Sequence, residues 1–276
     1  MLNTQHQRAI AWLNIGLLVV GAIIVLSPLA IALLTSFSEP VPLSGIPSTS
    51  ETDWTLRYYR QAWQQGNFLR AFANSTFVAI AVTVLQVLTS TLAGYAIARF
   101  QFWGRTGLLI LLLATLVIPF QLLVVPIFLI LKWGQLINTY AALILPTAAN
   151  GFGIFLMRQF FQTLPIELEE AARLDGANRW QVLWRIVFPL ARPAMVTLVL
   201  LTFIGEWNDL FKPLVFTTRP ALETVQLTLA AFQEQFTNRW SLLMAAVVIA
   251  TVPVVLLFFV GQRQFIRGVA TTGLKE

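Results

Sequence analysis

The chain contains no cysteine and only one histidine, His6. Without thiols there can be no disulfide, no cysteine-ligated zinc or iron–sulfur cluster, and no thiol catalysis. One histidine in a polar N-terminal segment cannot build a multi-histidine metal site, so neither a metal site nor a catalytic set is expected. Charge is also scarce. Asp, Glu, Lys and Arg make up 11% of the residues, against about 25% in soluble domains. A G-x-x-x-x-G-K-[ST] phosphate loop is absent, so the chain cannot hydrolyse ATP through that motif. No alternating ten-residue pattern recurs, which argues against membrane strands, and there is no internal repeat or low-complexity tract.

What is present is apolar surface. Hydrophobic residues make up 57% of the 276, and the mean hydropathy is +0.75. The net charge of +6 is spread over loops between apolar runs, so it speaks for membrane topology rather than nucleic acid. A hydrocarbon core of about 30 Å takes about 20 helical residues. Six segments meet that length: about 10–36, 72–98, 107–131, 137–158, 194–215 and 242–262. The first is longer than the 7–15 apolar residues of a cleavable signal and reads as a retained span. The expected fold is an all-α membrane protein in which residues 1–276 form one transmembrane domain.

Six spans put both termini on one side, together with loops 99–106 and 158–193. That side holds eleven of the 18 Lys and Arg residues. The positive-inside rule makes it cytoplasmic, so the protein is expected in a plasma membrane with both termini in the cytosol. External segments are expected at 38–67, with Pro40, Pro42 and Pro47 followed by a short surface helix, and at 217–240, where ETVQLTLAAFQEQF has helical periodicity. Pro28, Pro119, Pro126, Pro146 and Pro253 fall inside spans. They are either kinks that let a path open and close or simply the prolines that membrane helices tolerate.

Residues 158–193 are a charged interruption between apolar spans. Thr163 is expected to cap a helix with Pro165 in its first turn. Glu167, Glu169 and Glu170 follow, where negative charge suits a helix N-terminus, and Gly176 ends the helix. Asn178 with Gln181 three residues on has the spacing of a capping box. Pro189 and Pro193 are expected to end this second helix before the fifth span, and Trp180, Leu183, Trp184, Val187 and Phe188 give it an apolar face. Ala171, Ala172 and Gly176 are small enough to let another backbone approach, and Glu170 can accept hydrogen bonds from a partner or pair with Arg173. The alternative is an amphipathic loop lying in the membrane interface.

Glu170-Ala171-Ala172, three residues, Gly176, nine residues, then Ile186-x-Phe188-Pro189 resembles the EAA loop of binding-protein-dependent ABC importer permeases, with Phe188 where the family has Leu. The segment from Gln264 through Lys275 resembles the end of MalG-like carbohydrate permeases. The resemblance implies the type I ABC importer permease fold, with a coupling helix that seats in a cleft of a cytosolic ATPase subunit. Glu170, Ala171, Ala172, Asp175, Gly176 and Pro189 would form that ATPase-coupling site. It also implies a second permease subunit in a heterodimer, two ABC ATPase subunits carrying ATP and Mg, and a periplasmic or lipoprotein solute-binding protein docking on the external segments. The C-terminal tail 263–276 would reach between the ATPases. This chain itself would bind no cofactor, contact membrane lipid, and perform no catalysis.

In the fifth span, Phe203-Ile204-Gly205-Glu206-Trp207-Asn208-Asp209-Leu210 brings polar groups into an apolar run. Glu206 and Asp209, three apart, share a helix face. Glu206 lies 13 residues beyond Pro193, roughly 20 Å along a helix. Buried ionisable groups face a cavity or a partner, and carboxylates, an amide and an indole suit sugar hydroxyls and a sugar face. Glu206, Trp207, Asn208 and Asp209 are therefore candidates for a substrate path. The alternative is an external interface, where charge is cheap and Trp is enriched. The stretch resembles the W-N-x-F/L segment of carbohydrate-type permeases, which implies a sugar, polyol or glycoside cargo. Two other readings fit: an ABC permease for another solute class, or a stand-alone secondary transporter using Glu206 and Asp209 for ion coupling.

Overall fold

The structure, a computed structural model, describes residues 4–38, 54–236 and 239–273. Within them the chain is helical and no strand occurs. The helices are α1 (Thr4–Phe37), α2 (Arg57–Gln65), α3 (Phe68–Arg99), α4 (Arg105–Thr115), α5 (Phe120–Trp133), α6 (Tyr140–Ile144), α7 (Gly151–Thr163), α8 (Glu167–Leu174), α9 (Arg179–Val182), α10 (Phe188–Leu190), α11 (Arg192–Trp207), α12 (Phe211–Phe216), α13 (Val225–Gln235) and α14 (Trp240–Gly273). A 3₁₀ turn, Leu145–Thr147, extends α6, and a π-helical turn, Leu183–Val187, joins α9 to α10.

Three helical stretches are long and apolar enough to cross a membrane unbroken: Trp12–Phe37, Phe68–Arg99 and Trp240–Gln262. Three bent pairs bring the number to six if each is one crossing. The expected span at 107–131 is broken: α4 and α5 meet at 101°. Pro119 sits at the break in an extended conformation (φ −61°, ψ 135°); its ring removes a backbone donor and disfavours helix at Ile118 before it, which favours a break here. The expected span at 137–158 bends by 44° between Thr147 and Gly151, just after Pro146, and Asn150 caps the new helix by accepting from Phe152 N at 2.7 Å. Pro28, Pro126 and Pro253 lie inside continuous helices. Of the five span prolines, two therefore coincide with breaks.

The expected fifth span, 194–215, is also interrupted. α11 ends at Trp207 and α12 starts at Phe211. The Asp209 side chain accepts from Phe211 N at 2.8 Å and Lys212 N at 3.2 Å, so it caps a new helix instead of continuing the old one. At the C-terminus, α14 continues as helix to Gly273 rather than ending at 262. Pro40, Pro42 and Pro47 lie outside the described residues, as does the side-chain detail of the tail. The surface helix expected within 56–70 is α2; Gly66 and Asn67 end it, and Arg70 belongs to α3.

The chain divides into two compact units, residues 1–68 with 229–251 and residues 69–228 with 252–276. In the first, Tyr59 of α2 lies 2.6 Å from the Ser36 hydroxyl and packs on Phe37, with ring centroids 5.0 Å apart. From Trp12 on, the apolar side chains of α1 are mostly exposed, as suits a helix whose solvent is lipid or another subunit. In the second unit, one cluster of buried residues joins five helices: Tyr95 and Ala98 from α3, Met157 and Phe161 from α7, Ala172 from α8, Val182 from α9, and Ala194 and Leu198 from α11, together with Leu183 and Val187 of the π-helical turn.

Candidate functional site

The charged interruption is a folded element. Thr163 does not cap a following helix. It ends α7, its hydroxyl donating to Phe160 O at 2.7 Å, and Leu164 is extended (ψ 134°) because Pro165 comes next. α8 carries Glu167, Glu169 and Glu170 in its first turn, the favourable end of the helix dipole for negative charge. Its C-terminus closes with Ala177 N donating to Ala172 O at 2.9 Å and Gly176 N to Arg173 O at 3.0 Å. That pair of bonds defines a Schellman motif, which requires the left-handed φ of +88° at Gly176. Nothing lies within 4 Å of a Cβ built there, so glycine serves the backbone and leaves an open surface.

The capping box at Asn178 is complete: its side chain accepts from Gln181 N at 2.9 Å, and the Gln181 side chain accepts from Asn178 N at 2.8 Å. Pro189 does not end the second helix. It lies inside the continuous helical run Arg179–Leu190, just after the π-helical turn Leu183–Val187. The segment stops instead at Ala191, and Arg179–Leu190 meets α11 at 75°.

The residues of the EAA pattern divide between two faces. Glu170, Ala171, Asp175 and Gly176 are exposed, as is Leu174 at 89%. Ala172 is buried in the second unit's core and so does not contribute to an open surface. Glu170 has no ion pair with Arg173. That role falls to Glu169, which is 2% exposed. Its Oε1 accepts from Arg99 Nε at 2.6 Å, its Oε2 accepts from Tyr95 OH at 2.8 Å, and Arg173 Nη2 lies 3.7 Å away. Sequence reasoning noted Glu169 only as a helix-dipole charge. The available signal was its position one turn before Arg173, on the face carrying Ala172.

The fifth-span polar cluster is built around a residue the sequence reading did not select. Lys212 Nζ lies 2.5 Å from Glu206 Oε2, 3.2 Å from Asp209 Oδ2 and 2.7 Å from Thr147 Oγ1. The Lys212 and Glu206 side chains are 3% and 9% exposed. The signal for Lys212 was its lone positive charge six residues after Glu206 in an apolar run, since charges at membrane depth pair. Gln86 of α3 ties in the same turn by donating to Thr147 O at 2.7 Å and accepting from Thr202 at 2.9 Å.

Trp207 is 1% exposed; Phe203 stacks on it at 5.9 Å and 15°, and Phe72 meets it edge-on at 5.4 Å. The expected open stacking face is therefore covered by the chain's own rings. Asn208 is exposed and accepts from Gln226 Nε2 at 3.1 Å. The cavity bordering Glu206, Asp209 and Lys212 holds about 10 Å³, space for about one water molecule.

Residues 86–271 match the sequence family described as the binding-protein-dependent transport system inner membrane component. The chain belongs to that family. It is a permease subunit of an ABC importer, an integral component of the inner membrane, and two relatives cover more than nine-tenths of its length. It is 34% identical over 261 residues to the arabinooligosaccharides transport system permease AraQ of Halalkalibacterium halodurans, covering 92% of both chains. It is 31% identical over 270 residues to the diacetylchitobiose uptake system permease NgcG of Streptomyces coelicolor, covering 96% of this chain and 89% of that one. Its fold matches a chain of a bacterial ABC transporter involved in the import of the acidic polysaccharide alginate, with TM-score 0.81 and 24% identity over 96% of this chain and 99% of the other. The all-α fold expected from the spans is thus the permease fold, and the EAA spacing led to the right family.

Proposed function

We propose that this permease carries a sugar, or a related polyol or glycoside, through the inner membrane, and that cytosolic ATPase subunits drive it through α8. The observation that carries the coupling half is the two-faced α8. Its inner face is pinned by Glu169 and Ala172, while Glu170, Ala171, Leu174, Asp175 and Gly176 stand open. Small residues on the open face of an anchored helix let a partner's backbone approach closely. Pro189, half-buried in α10, is proposed as part of the same coupling region. ATP and Mg would reside on two ATPase partners, since the chain has no phosphate loop of its own and would bind no cofactor.

The cargo half rests on the relatives, whose names cite arabinooligosaccharides, diacetylchitobiose, lactose and sn-glycerol-3-phosphate. Glu206, Trp207, Asn208 and Asp209 remain the proposed substrate-path region. Within it the exposed Asn208 makes direct contact, Glu206 and Asp209 set the local charge with Lys212, and Trp207 shapes the wall. The cavity beside them, about 10 Å³, has room for about one water, which supports a path completed by a second permease subunit. The solute-binding protein would dock on segments 38–67 and 217–240, and the end of α14 would extend toward the ATPases. The excess of Lys and Arg on the side of α8 supports cytoplasmic termini. On this reading residues 1–276 work as one non-catalytic permease domain.

The test is uptake by the reconstituted importer with its ATPases and binding protein. Gly176→Asp and Glu170→Lys should insert normally, lose substrate-stimulated ATP hydrolysis and abolish uptake. Wild-type uptake by both variants would refute the coupling surface. Undiminished uptake with a phosphate-loop mutation in the ATPase would refute ATP drive.

A further inference from the structure

An eight-residue helix has too few turns to hold itself in water, so α8 takes both its stability and its orientation from what it touches. Its inward face makes one polar contact of high specificity. The Glu169 carboxylate receives Arg99 Nε on Oε1 at 2.6 Å and Tyr95 OH on Oε2 at 2.8 Å. Tyr95 and Arg99 are four apart at the end of α3, hence on one face of that helix. Two donors from one helix, one on each oxygen, fix the carboxylate in rotation as well as position. The same guanidinium donates Nη2 to Leu164 O at 2.8 Å, so one side chain holds the end of α7 and the start of α8 together. With Glu169 2% exposed and the Arg99 side chain 9% exposed, water does not compete for these bonds. Ala172, three residues on, seals the same face into a core that also contains Tyr95, Met157 and Leu198.

We infer that Glu169, rather than the exposed Glu170 beside it, is the positioning residue that locks α8 to the cytoplasmic end of the α3 span through Arg99 and Tyr95, so that a displacement imposed on α8 moves α3 as part of one rigid body. This rests on the reading of α8 as the ATPase-facing helix. Without the lock, α8 could still seat on its partner, but it would turn or slide against α3 and the stroke would be lost between them.

The experiment measures substrate imported and ATP hydrolysed by the assembled importer in proteoliposomes, with co-purification of the ATPases as a control. Glu169→Gln keeps the size of the side chain and removes the charge that Arg99 requires. The expected result is retained ATPase subunits, continued hydrolysis and an about tenfold rise in ATP consumed per substrate. Arg99→Gln should give the same ratio from the other side, and the double variant should be no worse than either single one, as expected for residues acting as a unit. A wild-type ratio in both single variants would overturn the inference, as would loss of the ATPases from both. If either variant fails to accumulate, Arg99→Lys, which keeps the charge without the two-pronged donor, reads the same ratio. Wild-type behaviour of Glu170→Lys and Gly176→Asp would remove the coupling reading itself. Loss of function in those two with a normal ratio in Glu169→Gln would remove the lock alone.

Discussion

The Lys212 ammonium lies 2.5 Å from the Glu206 carboxylate, and the two side chains are 3% and 9% exposed. Asp209, at 3.2 Å, gives the cluster two acids and one base. Desolvating three charges is costly, and the cluster persists because each finds partners: Thr147 for Lys212, and the first backbone amides of α12 for Asp209. A stand-alone ion-coupled transporter would need an acid free to release its ion. Here one internal cation bridges both acids, so neither stands free of a protein partner, which fits a subunit driven from outside.

Lys212→Met should therefore destabilise the protein strongly, because it leaves buried acids without a counter-charge; breaking such pairs costs about 3–5 kcal/mol. Adding Glu206→Gln should restore part of the loss. Thermal unfolding of the four members of the cycle in detergent measures the coupling. Additive effects would mean the pair is not energetically linked.

Gly176→Ala should cost about 1–2 kcal/mol, the penalty of the left-handed conformation for a residue with a Cβ. The penalty is conformational, since a Cβ there meets nothing within 4 Å. Gly176→Asn should be milder, because asparagine visits this region more readily. Hydrogen exchange over α8 in the three proteins gives the order.

Gly94 allows α3 to lie directly on α7. A Cβ at this position would come within 3.0 Å of Arg158 N, Ile154 O and Met157 Cβ, and backbone atoms cannot step aside as a flexible side chain can. Gly94→Val should cost at least about 1–3 kcal/mol, as overpacking does, and lower the amount of folded protein. Gly107→Val, in open space on α4, should accumulate normally. Size-exclusion profiles of the detergent-extracted proteins separate these outcomes.

Trp207→Ala should act on folding before it acts on cargo. The indole is packed between Phe203 and Phe72, and truncating a buried Trp costs about 3–5 kcal/mol. The expected outcome is reduced protein in the membrane with an unchanged transport KM in what remains. Asn208→Ala, at an exposed position, should leave abundance intact and raise KM. A raised KM in Trp207→Ala at normal abundance would mean that the ring does meet the substrate.

Much of this was legible because its causes are local. The capping box at Asn178, the acidic first turn of α8 and the left-handed glycine depend on neighbours within a few residues, and all three occur as the spacing implies. Thr163 went the other way, because its hydroxyl could bond backward to Phe160 as readily as forward, and the extended residue before Pro165 decided between them. The span breaks at Pro119 and after Pro146 were ambiguous for a similar reason. Pro28, Pro126 and Pro253 carry the same local penalty yet sit in unbroken helices, so the outcome turns on packing that no window of sequence contains.

The sequence by itself determined that the chain is a bundle of apolar helices with one structured charged interruption, and that its EAA spacing belongs to a permease. Hydrophobic length, capping chemistry and motif spacing are all written along the chain. Only the tertiary structure decided which acids matter and how. Glu169 and Glu170 are adjacent and chemically identical, yet α8 turns one toward Tyr95 and Arg99, some 70 residues earlier, and leaves the other exposed. Glu206 likewise gains meaning from Lys212 and from Thr147 on a different helix pair. A buried charge takes its role from the partner that desolvation forces on it, and such partners are brought together by folding, not by sequence separation.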